Sequence, residues 1–582
     1  MRLTKVRPRH RAAFALGASL LAFGLLAAAC GDDSGSSAGT TASGGGAATT
    51  GAGGGAATTA AAAAETPTPG GKLVYGIEAD TGSPWEPSKA LFAISGHTVA
   101  RSVYDPLALA TVDGKVEPYL AESITPNADY TVWTIKARSG VTFHDGTPFN
   151  AAAIVDNLVR HTKSFLTAKY LSDVATNADG TPKIVAVDDL TATVTMTRPW
   201  VPFPIYLTGA IGYMASPTWM KAADADPALE AKPVGTGPFV FKDYKPGETF
   251  DATKNPNYWN KPYPYLDEVE FRVIPDGKTR AAALEAGDVN IIQTDDGENI
   301  AKFRSEADKF PMTETSEFGE TGYTLLNVTQ EGSPLTDQRV RCAMAYATDE
   351  QALIDKIGAG VNKVASGPFS PTQLGYLPDT GYPLKQDMAK AQDLVKQYKA
   401  DHPGPLNISL STTQDATALV VAQAQQEFFT QAGFDNVQIS QIEQAKYILT
   451  ALQGDFQAFQ WRNHGGLDLD AQYIWWHSSS ALPPGQLALN FGRIKDPVID
   501  QALDANRGET DPAKKKELAE TVNKEFATQC WNIWADWDLW GFPHTPDVQG
   551  VEDFTLPSGN KVCLCNGIAG VINIQSVWIK QS

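Results

Sequence analysis

One long apolar run, residues 12–29, follows a basic N-terminus and ends at Cys30. The order basic, apolar, small is typical of an export signal. Residues 31–64 consist almost entirely of Gly, Ala, Ser and Thr, a composition with nothing to bury, so residues 30–70 are predicted to be a flexible tether. Because no second apolar run of this length occurs, a multi-span membrane protein is excluded.

The segment LLAAAC, which ends at Cys30, resembles the lipobox of bacterial lipoproteins. The resemblance implies that residues 1–29 are a signal peptide, that Cys30 carries a lipid, and that this lipid anchors the protein to the outer face of the cell membrane. An uncleaved signal anchor, or an ordinary signal peptide cut nearby, is the alternative.

The net charge is −19, from 47 Lys and Arg against 66 Asp and Glu. Such a surface repels phosphate backbones, so we expect no nucleic-acid partner.

An exported protein lies where disulfides persist. Four cysteines beyond Cys30 allow three complete pairings, and the sequence does not choose among them. We expect disulfides or buried thiols rather than a metal site, because no C-x-x-C or H-x-x-x-H pattern accompanies them. These cysteines are Cys342, Cys530, Cys563 and Cys565.

Hydrophobic periodicity predicts strands that alternate with helices, which indicates an α/β protein. Asn150 is predicted to cap a helix over 151–161, and residues 416–432 are predicted to form a longer helix. Residues 185–197 alternate as one strand, and residues 496–529 are predicted to be helical.

Several short motifs resemble the family-5 extracellular solute-binding proteins, the peptide, nickel and oligopeptide-binding components of ATP-driven importers. Their order and spacing match from about Gly71 onward, although Ala137 stands where the family often has Leu and Glu350 where it often has Arg. The motifs are 118–123 (PYLAES), 133–149 (WTIKARSGVTFHDGTPF), 233–239 (PVGTGPF), 255–259 (NPNYW), 282–289 (AALEAGDV) and 339–349 (RVRCAMAYATD).

The resemblance implies a two-lobed, periplasmic-binding-protein-like clamshell of type II, cluster C, with an extra subdomain on lobe I. Lobe I is expected over 71–321, with the extra subdomain at about 106–225. Lobe II is expected over 322–523, and residues 524–582 are expected to return to lobe I. Closing such a hinge buries a ligand between two rigid units.

Two loops are the candidate ligand site. In the first, Gly82 allows close approach, Ser83 can hydrogen-bond and Trp85 offers a flat apolar face; packing of Trp85 within its own lobe is the alternative. In the second, Asp468 falls where relatives carry an Asp that pairs with a ligand ammonium, and Asp470 is the fallback. The remaining candidates of this second segment are Trp461, Arg462, Asn463 and Tyr473.

A carboxylate enclosed in a cleft needs a cationic partner. A positively charged group of the ligand would supply it, and an internal pair of Asp468 with Arg462 is the alternative. Trp531, Trp534, Trp537 and Trp540 recur every three residues, and we expect them mainly to pack.

The predicted function is capture of a small solute, peptide-like or amino-acid-derived, with a cationic solute as one option, and its delivery to the permease subunits of an ABC transporter. We expect a monomer with no catalytic residue, cofactor or metal. A secreted hydrolase of small peptide-like substrates, or a tethered receptor or nickel-chelate binder, is the alternative. No P-loop occurs, since Arg272 stands where its first Gly would be, and H-E-x-x-H is absent.

Overall fold

The computed structural model describes residues 66–581 apart from 317–318, 415, 464 and 565–566, and it leaves out the side chains of 416–417 and 444–445. The signal peptide, Cys30 and residues 30–65 of the tether therefore lie outside the described residues. None of the helices that the structure describes combines the length and apolar character needed to span a bilayer.

The chain forms strands and helices in alternation from residue 72 onward. The strands are β1 Lys72–Ile77, β2 Ala108–Ala110, β3 Val116–Pro118, β4 Ala121–Pro126, β5 Val132–Ala137, β6 Ile184–Ala186, β7 Thr191–Thr195, β8 Phe239–Lys245, β9 Thr249–Lys254, β10 Glu268–Val273, β11 Ile291–Ile292, β12 Met312–Thr315, β13 Thr321–Leu326, β14 Lys363–Val364, β15 Asn407–Thr413, β16 Asn436–Ile442, β17 Ala458–Asn463, β18 Asn532–Trp537, β19 Trp540–Pro543, β20 Val548–Gln549 and β21 Trp578–Ile579. The helices are α1 Ile94–Val103, α2 Ala151–His161, α3 Thr167–Tyr170, α4 Pro217–Ala225, α5 Gly277–Ala286, α6 Gly297–Ser305, α7 Gln338–Ala347, α8 Glu350–Ile357, α9 Met388–Asp401, α10 Ala416–Ala432, α11 Gln444–Gln453, α12 Tyr473–Trp476, α13 Pro497–Gly508 and α14 Pro512–Gln529.

The first lobe is built on a five-stranded sheet in the order β11-β1-β10-β9-β8. Strand β1 is parallel to β10 and β11, and β9 is antiparallel to β10 and β8. Tyr75 of β1 and Phe271 of β10 are fully buried in its core. A separate antiparallel sheet, β4-β5-β7-β6, encloses a second core with α2 around Trp133 and Ile154. This second core lies within the stretch where the sequence predicts an extra subdomain.

The second lobe is built on a six-stranded sheet in the order β14-β18-β13-β17-β15-β16. Strand β13 is antiparallel to both β17 and β18, while β15 is parallel to β16 and β17. Helices α7, α9 and α10 pack against one another, and α10 covers β15 and β16. A disulfide joins Cys342 of α7 to Cys530, which follows α14. This fixes one pair that the sequence left open; Cys563 is buried, and Cys565 lies outside the described residues.

The chain crosses between the lobes on two neighbouring segments. Strand β12 pairs with β19 beside the first sheet, whereas β13 pairs with β18 inside the second. The crossings therefore connect β12 to β13 and β18 to β19. The sequence places the return to lobe I at residue 524, but the structure keeps β18 in lobe II, because Trp534 and Trp537 are buried in the core of the six-stranded sheet and Trp540 in the core of the five-stranded sheet.

Most local predictions agree with the structure, and two differ for identifiable reasons. The Asn150 side chain accepts from the Ala153 amide at the start of α2, and α10 spans the predicted residues. The predicted strand 185–197 is a hairpin, β6 and β7, because Asp188 accepts from two amides and turns the chain. The predicted helix 496–529 is two helices, since Asp511 caps a new start at α14.

Candidate functional site

The loop after β1 is the first segment predicted to bind a ligand. Gly82 has a φ of +75°, and a Cβ added there would meet nothing within 4 Å. Its amide donates to Asp80 Oδ1 at 2.9 Å, which holds the turn. Ser83 is exposed. The loop presents the main chain of Gly82 and the side chain of Ser83 to solvent, and their ligand contact stays a prediction.

Trp85 of the same loop is buried, with 1% of its surface exposed. Its ring lies 4.9 Å from that of Phe250 and 5.7 Å from that of Tyr244, and it also contacts Phe92 at 6.0 Å. The Tyr104 hydroxyl donates to its carbonyl at 2.9 Å. The structure therefore places Trp85 in the core of the first lobe, the packing role that the sequence had left as the alternative.

Strand β17 carries the start of the second predicted segment. Trp461 stacks on Tyr447 with ring centroids 5.3 Å apart, and its ring meets Phe491 edge-on at 5.1 Å. Asn463 is nearly buried, and its amide donates to Gln472 at 2.9 Å. Both side chains make contacts within the second lobe, and their contact with a ligand stays a prediction.

Asp468 and Asp470 each pair with a cation of the chain itself. Asp468 accepts from Lys515 Nζ at 2.7 Å and from Asn506 at 2.6 Å. Asp470 is fully buried and accepts from Arg507 Nε at 2.7 Å. The internal partners are therefore Lys515 and Arg507 rather than Arg462, and neither was picked from the sequence. The argument that Asp468 needs a ligand cation loses its basis, although a ligand role for it stays a prediction.

Asp470 and Arg507 also tie the second lobe to the first. Trp200 Nε1 donates to Asp470 Oδ2 at 2.6 Å, and the Tyr206 hydroxyl does so at 2.8 Å. Arg507 donates to Asp173 and lies over the ring of Tyr473, 3.6 Å from its centroid. We call this set the clasp: Asp173, Trp200, Tyr206, Asp470, Tyr473 and Arg507. The clasp buries a polar network across the contact between the two lobes.

A second group of charges surrounds Arg462 near the crossing segments. Arg462 donates to Asp295 of the first lobe and lies 3.6 Å from Glu320 of the first crossing. Trp540 Nε1 also donates to Glu320, at 3.2 Å. Arg462 is 43% exposed and Asp295 27%, so this group opens to solvent between the lobes.

Two further carboxylates stand at the end of β18. The Asn362 amide donates to Asp536 Oδ2 at 2.6 Å and to Asp538 Oδ1 at 3.2 Å, which bridges the two. The Asp536 carboxylate lies close to the main chain of β13, since a Cβ added to Gly322 would lie 2.6 Å from Asp536 Oδ1. We call the following five residues the hinge carboxylates: Glu78, Asp295, Glu320, Asp536 and Asp538.

The hinge carboxylates repel one another in a poorly solvated place. Burial, and then repulsion by Asp295, raises the pKa of Glu78 to about 7. Burial also raises the pKa of Asp536 and of Asp538 above the usual range. Attraction to Glu320 raises the pKa of Arg462, which stabilises the charged form of this guanidinium. The group therefore has an excess of acid that Arg462 only partly offsets. Among the described residues, no three His, Cys, Asp or Glu side chains are grouped to hold a metal ion.

The model of the bacterial extracellular solute-binding proteins, family 5 Middle, matches residues 115–482. The chain belongs to this family. Family-5 proteins are extracytoplasmic solute-binding components of ABC importers. The glutathione-binding protein GsiB of Pectobacterium atrosepticum is 28% identical over 466 residues, 75% of this chain and 82% of the relative. GsiB of Salmonella typhi is 31% identical over 342 residues, 58% of this chain and 63% of the relative.

Solved structures of family-5 proteins share the two-lobed fold. DppA from Helicobacter pylori, in complex with the peptide STSA, superimposes with a TM-score of 0.76 at 22% identity, covering 88% of this chain and 99% of DppA. AgaA from A. tumefacien R10, in complex with agropinic acid, gives 0.74 at 23% identity, with the same coverage of both chains. The α/β clamshell predicted from the sequence is thereby confirmed.

Of the hinge carboxylates of this family-5 protein, none was picked from the sequence. Each lies in or next to a strand or a crossing: Glu78 follows β1, Asp295 lies just after β11, and Asp538 follows β18. Acidic residues at strand ends were the available signal. Their assembly depends on pairings between strands that are hundreds of residues apart, which the sequence alone did not reveal.

Proposed function

We propose that this chain captures a peptide-like or amino-acid-derived solute between its lobes and presents it to the permease of an ABC importer. The observation that carries the proposal is that both lobes contribute charged groups to one place beside the crossings. Asp295 comes from the first lobe and Arg462 from the second. A solute that contacts both sides favours the closed form, because its contacts differ between the open and closed states.

The predicted lobe limits and first loop belong to this proposal. Lobe I comprises 71–321 with its subdomain at about 106–225, and the second lobe extends through β18. Gly82 and Ser83, which the first lobe exposes, would contact the main chain of the solute. The relatives named above are binding proteins, which supports capture without chemical change.

The test is a titration of the purified chain with glutathione, short peptides, opines, sugars and metal chelates. Intrinsic tryptophan fluorescence reports binding, X-ray scattering reports compaction, and mass spectrometry reports the fate of the solute. We expect stoichiometric capture of one chemical class with compaction and no turnover. Product formation would point to the hydrolase instead, and a library without any binder would refute the proposal.

The proposal includes a lipid anchor on Cys30 and a monomeric state. Replacing Cys30 by Ser should move the protein from the membrane fraction to the soluble extracytoplasmic fraction, and metabolic labelling with a fatty acid should disappear. Membrane association that is unchanged in Cys30→Ser would remove the anchor from the proposal. Light scattering on the soluble form tests the monomer.

A further inference from the structure

The hinge carboxylates include a buried oxygen that nothing in the chain satisfies. Asp538 is 8% exposed, and within the described residues its Oδ2 has no hydrogen-bond partner. Burial raises the pKa of Asp538, and the charges of Asp536, Glu320, Arg462 and Asp295 also act on it, so Asp538 belongs electrostatically to this group. A buried acceptor without a donor is strongly unfavourable. A donor from outside the chain would remove this penalty.

A second buried acid borders the same group. Glu350 is 7% exposed, it experiences the charge of Asp536, and its Oε1 also lacks a partner among the described residues. Arg280, the other cation near Glu78, donates to the main-chain carbonyls of Gln293 and Ile274. Acids therefore outnumber the guanidinium groups available to neutralise them.

Some of the groups around the buried Asp538 are open to solvent. Asp295 and Arg462 are partly exposed between the lobes, and Glu78 is half-buried at the end of β1. Ionised carboxylates are acceptors only, so the missing partner is a donor, and a positive charge would offset the excess of acid. An ammonium carries three donors and a guanidinium five.

We propose that the hinge carboxylates bind the cationic end of the solute, an ammonium or a guanidinium group. This inference rests on the proposed function, and it specifies the charge of the solute. Asp538 accepts from the cation at its free oxygen, and Glu78 approaches it from the first lobe. Arg462 remains paired with Asp295 and Glu320, which leaves Asp536, Asp538 and Glu78 to the solute.

The experiment compares ligands that differ in one positive charge. The pairs are L-arginine with L-citrulline, L-lysine with Nε-acetyl-L-lysine, and trialanine with its N-acetylated form. Each is titrated by calorimetry into the wild-type chain and into Asp538→Asn, Glu78→Gln and Asp243→Asn. Asp243 is an exposed aspartate of β8 and serves as the matched control. Circular dichroism tests whether each variant folds. If Asp538→Asn does not fold, Glu78→Gln, which lies in the first lobe, still tests the inference.

We expect a charged member to bind and its neutral partner to bind at least about 30-fold more weakly, as for removal of one partner of a buried charge pair. Asp538→Asn and Glu78→Gln should each lower that affinity by a similar factor, and Asp243→Asn should leave it unchanged. A neutral or anionic solute from the wider library that binds equally to wild type and Asp538→Asn would overturn the inference but not the proposed function.

Two other results would also overturn the inference. Equal binding of charged and neutral partners would show that the hinge carboxylates do not recognise the charge of the solute. Binding of Ni²⁺ alone, lost in Asp538→Asn, would assign the carboxylates to a metal ion. A library in which nothing binds would overturn the proposed function and this inference together.

Discussion

Replacing Arg507 by Met should destabilise the protein strongly, although the side chain is not exposed at all. Arg507 and Asp470 are both fully buried, and their ion pair is 2.7 Å long. Arg507 also pairs with Asp173 and lies over the rings of Tyr473 and Trp200. Methionine fills much of the same space, but it leaves Asp470 buried without a counter-charge.

The expected cost is about 3–5 kcal/mol, the range for a buried pair that loses one partner. Asp470 keeps its hydrogen bonds from Trp200 and Tyr206, which places the cost in the lower half of this range. Loss of the cation–π contacts adds about 1 kcal/mol. Burial already raises the pKa of Asp470, so protonation should relieve the stranded charge and reduce the deficit as the pH falls.

Urea unfolding followed by tryptophan fluorescence measures the change in the free energy of unfolding. Arg198→Met is the matched control, because Arg198 pairs with Asp173 and Asp504 but is 33% exposed, and it should cost less than about 1 kcal/mol. The double variant Arg507→Met with Asp470→Asn should recover about 1–3 kcal/mol, since no charge is then stranded. The reasoning is refuted if Arg507→Met costs no more than Arg198→Met.

Three further predictions concern the disulfide, a buried histidine and the pH dependence of binding. Replacing Cys342 and Cys530 by Ser opens a link between residues 188 positions apart and should cost up to about 5 kcal/mol in urea unfolding; wild type kept in reductant should match the variant. Burial lowers the pKa of His161 to about 3, so only the unfolded chain takes up a proton at this residue below about pH 6.5. The free energy of unfolding should therefore fall with pH, by about 2 kcal/mol at pH 5. His161→Gln should remove that loss, as measured by urea unfolding. Binding of a cationic solute should weaken by up to about tenfold per pH unit below pH 7, because Glu78 must be ionised and its pKa is about 7. The charged and titratable groups that act on Glu78 are Asp295, Glu320, Arg462, Arg280 and Tyr75. Calorimetry at pH 8 and pH 6 tests this, and Glu78→Gln should make the affinity independent of pH over this range.

The sequence predicts local structure well where a short-range signal fixes it. Asn150 at the start of α2 is such a case, because the cap and the amide it satisfies are three residues apart. The break before α14 was missed, although Asp511 caps the new helix and Pro512 is its first residue. The lobe boundary near residue 524 differed because Trp534 and Trp540 look alike in sequence but are buried in different cores.

The partners of the candidate site were harder to predict, because they come from distant parts of the chain. Asp470 pairs with Arg507, 37 residues away, and Asp468 with Lys515, 47 away. Arg462 and Asp295 are 167 residues apart. The identity of a counter-ion depends on which helix packs beside the strand end, and no periodicity in the sequence encodes that.

The clasp and the hinge carboxylates provide an internal comparison. At the clasp, each buried acid has a cation of the chain: Asp470 and Asp173 share Arg507. At the hinge, Asp538 has an oxygen that no described residue satisfies. Asp470 and Asp538 are both buried near the contact of the same two lobes, so the cost of placing a carboxylate at either position is similar. The difference is that the clasp has a cation of the chain for each buried acid, whereas the hinge carboxylates do not. A cationic solute would supply the missing positive charge. Closure of the lobes should therefore depend on the charge of the solute.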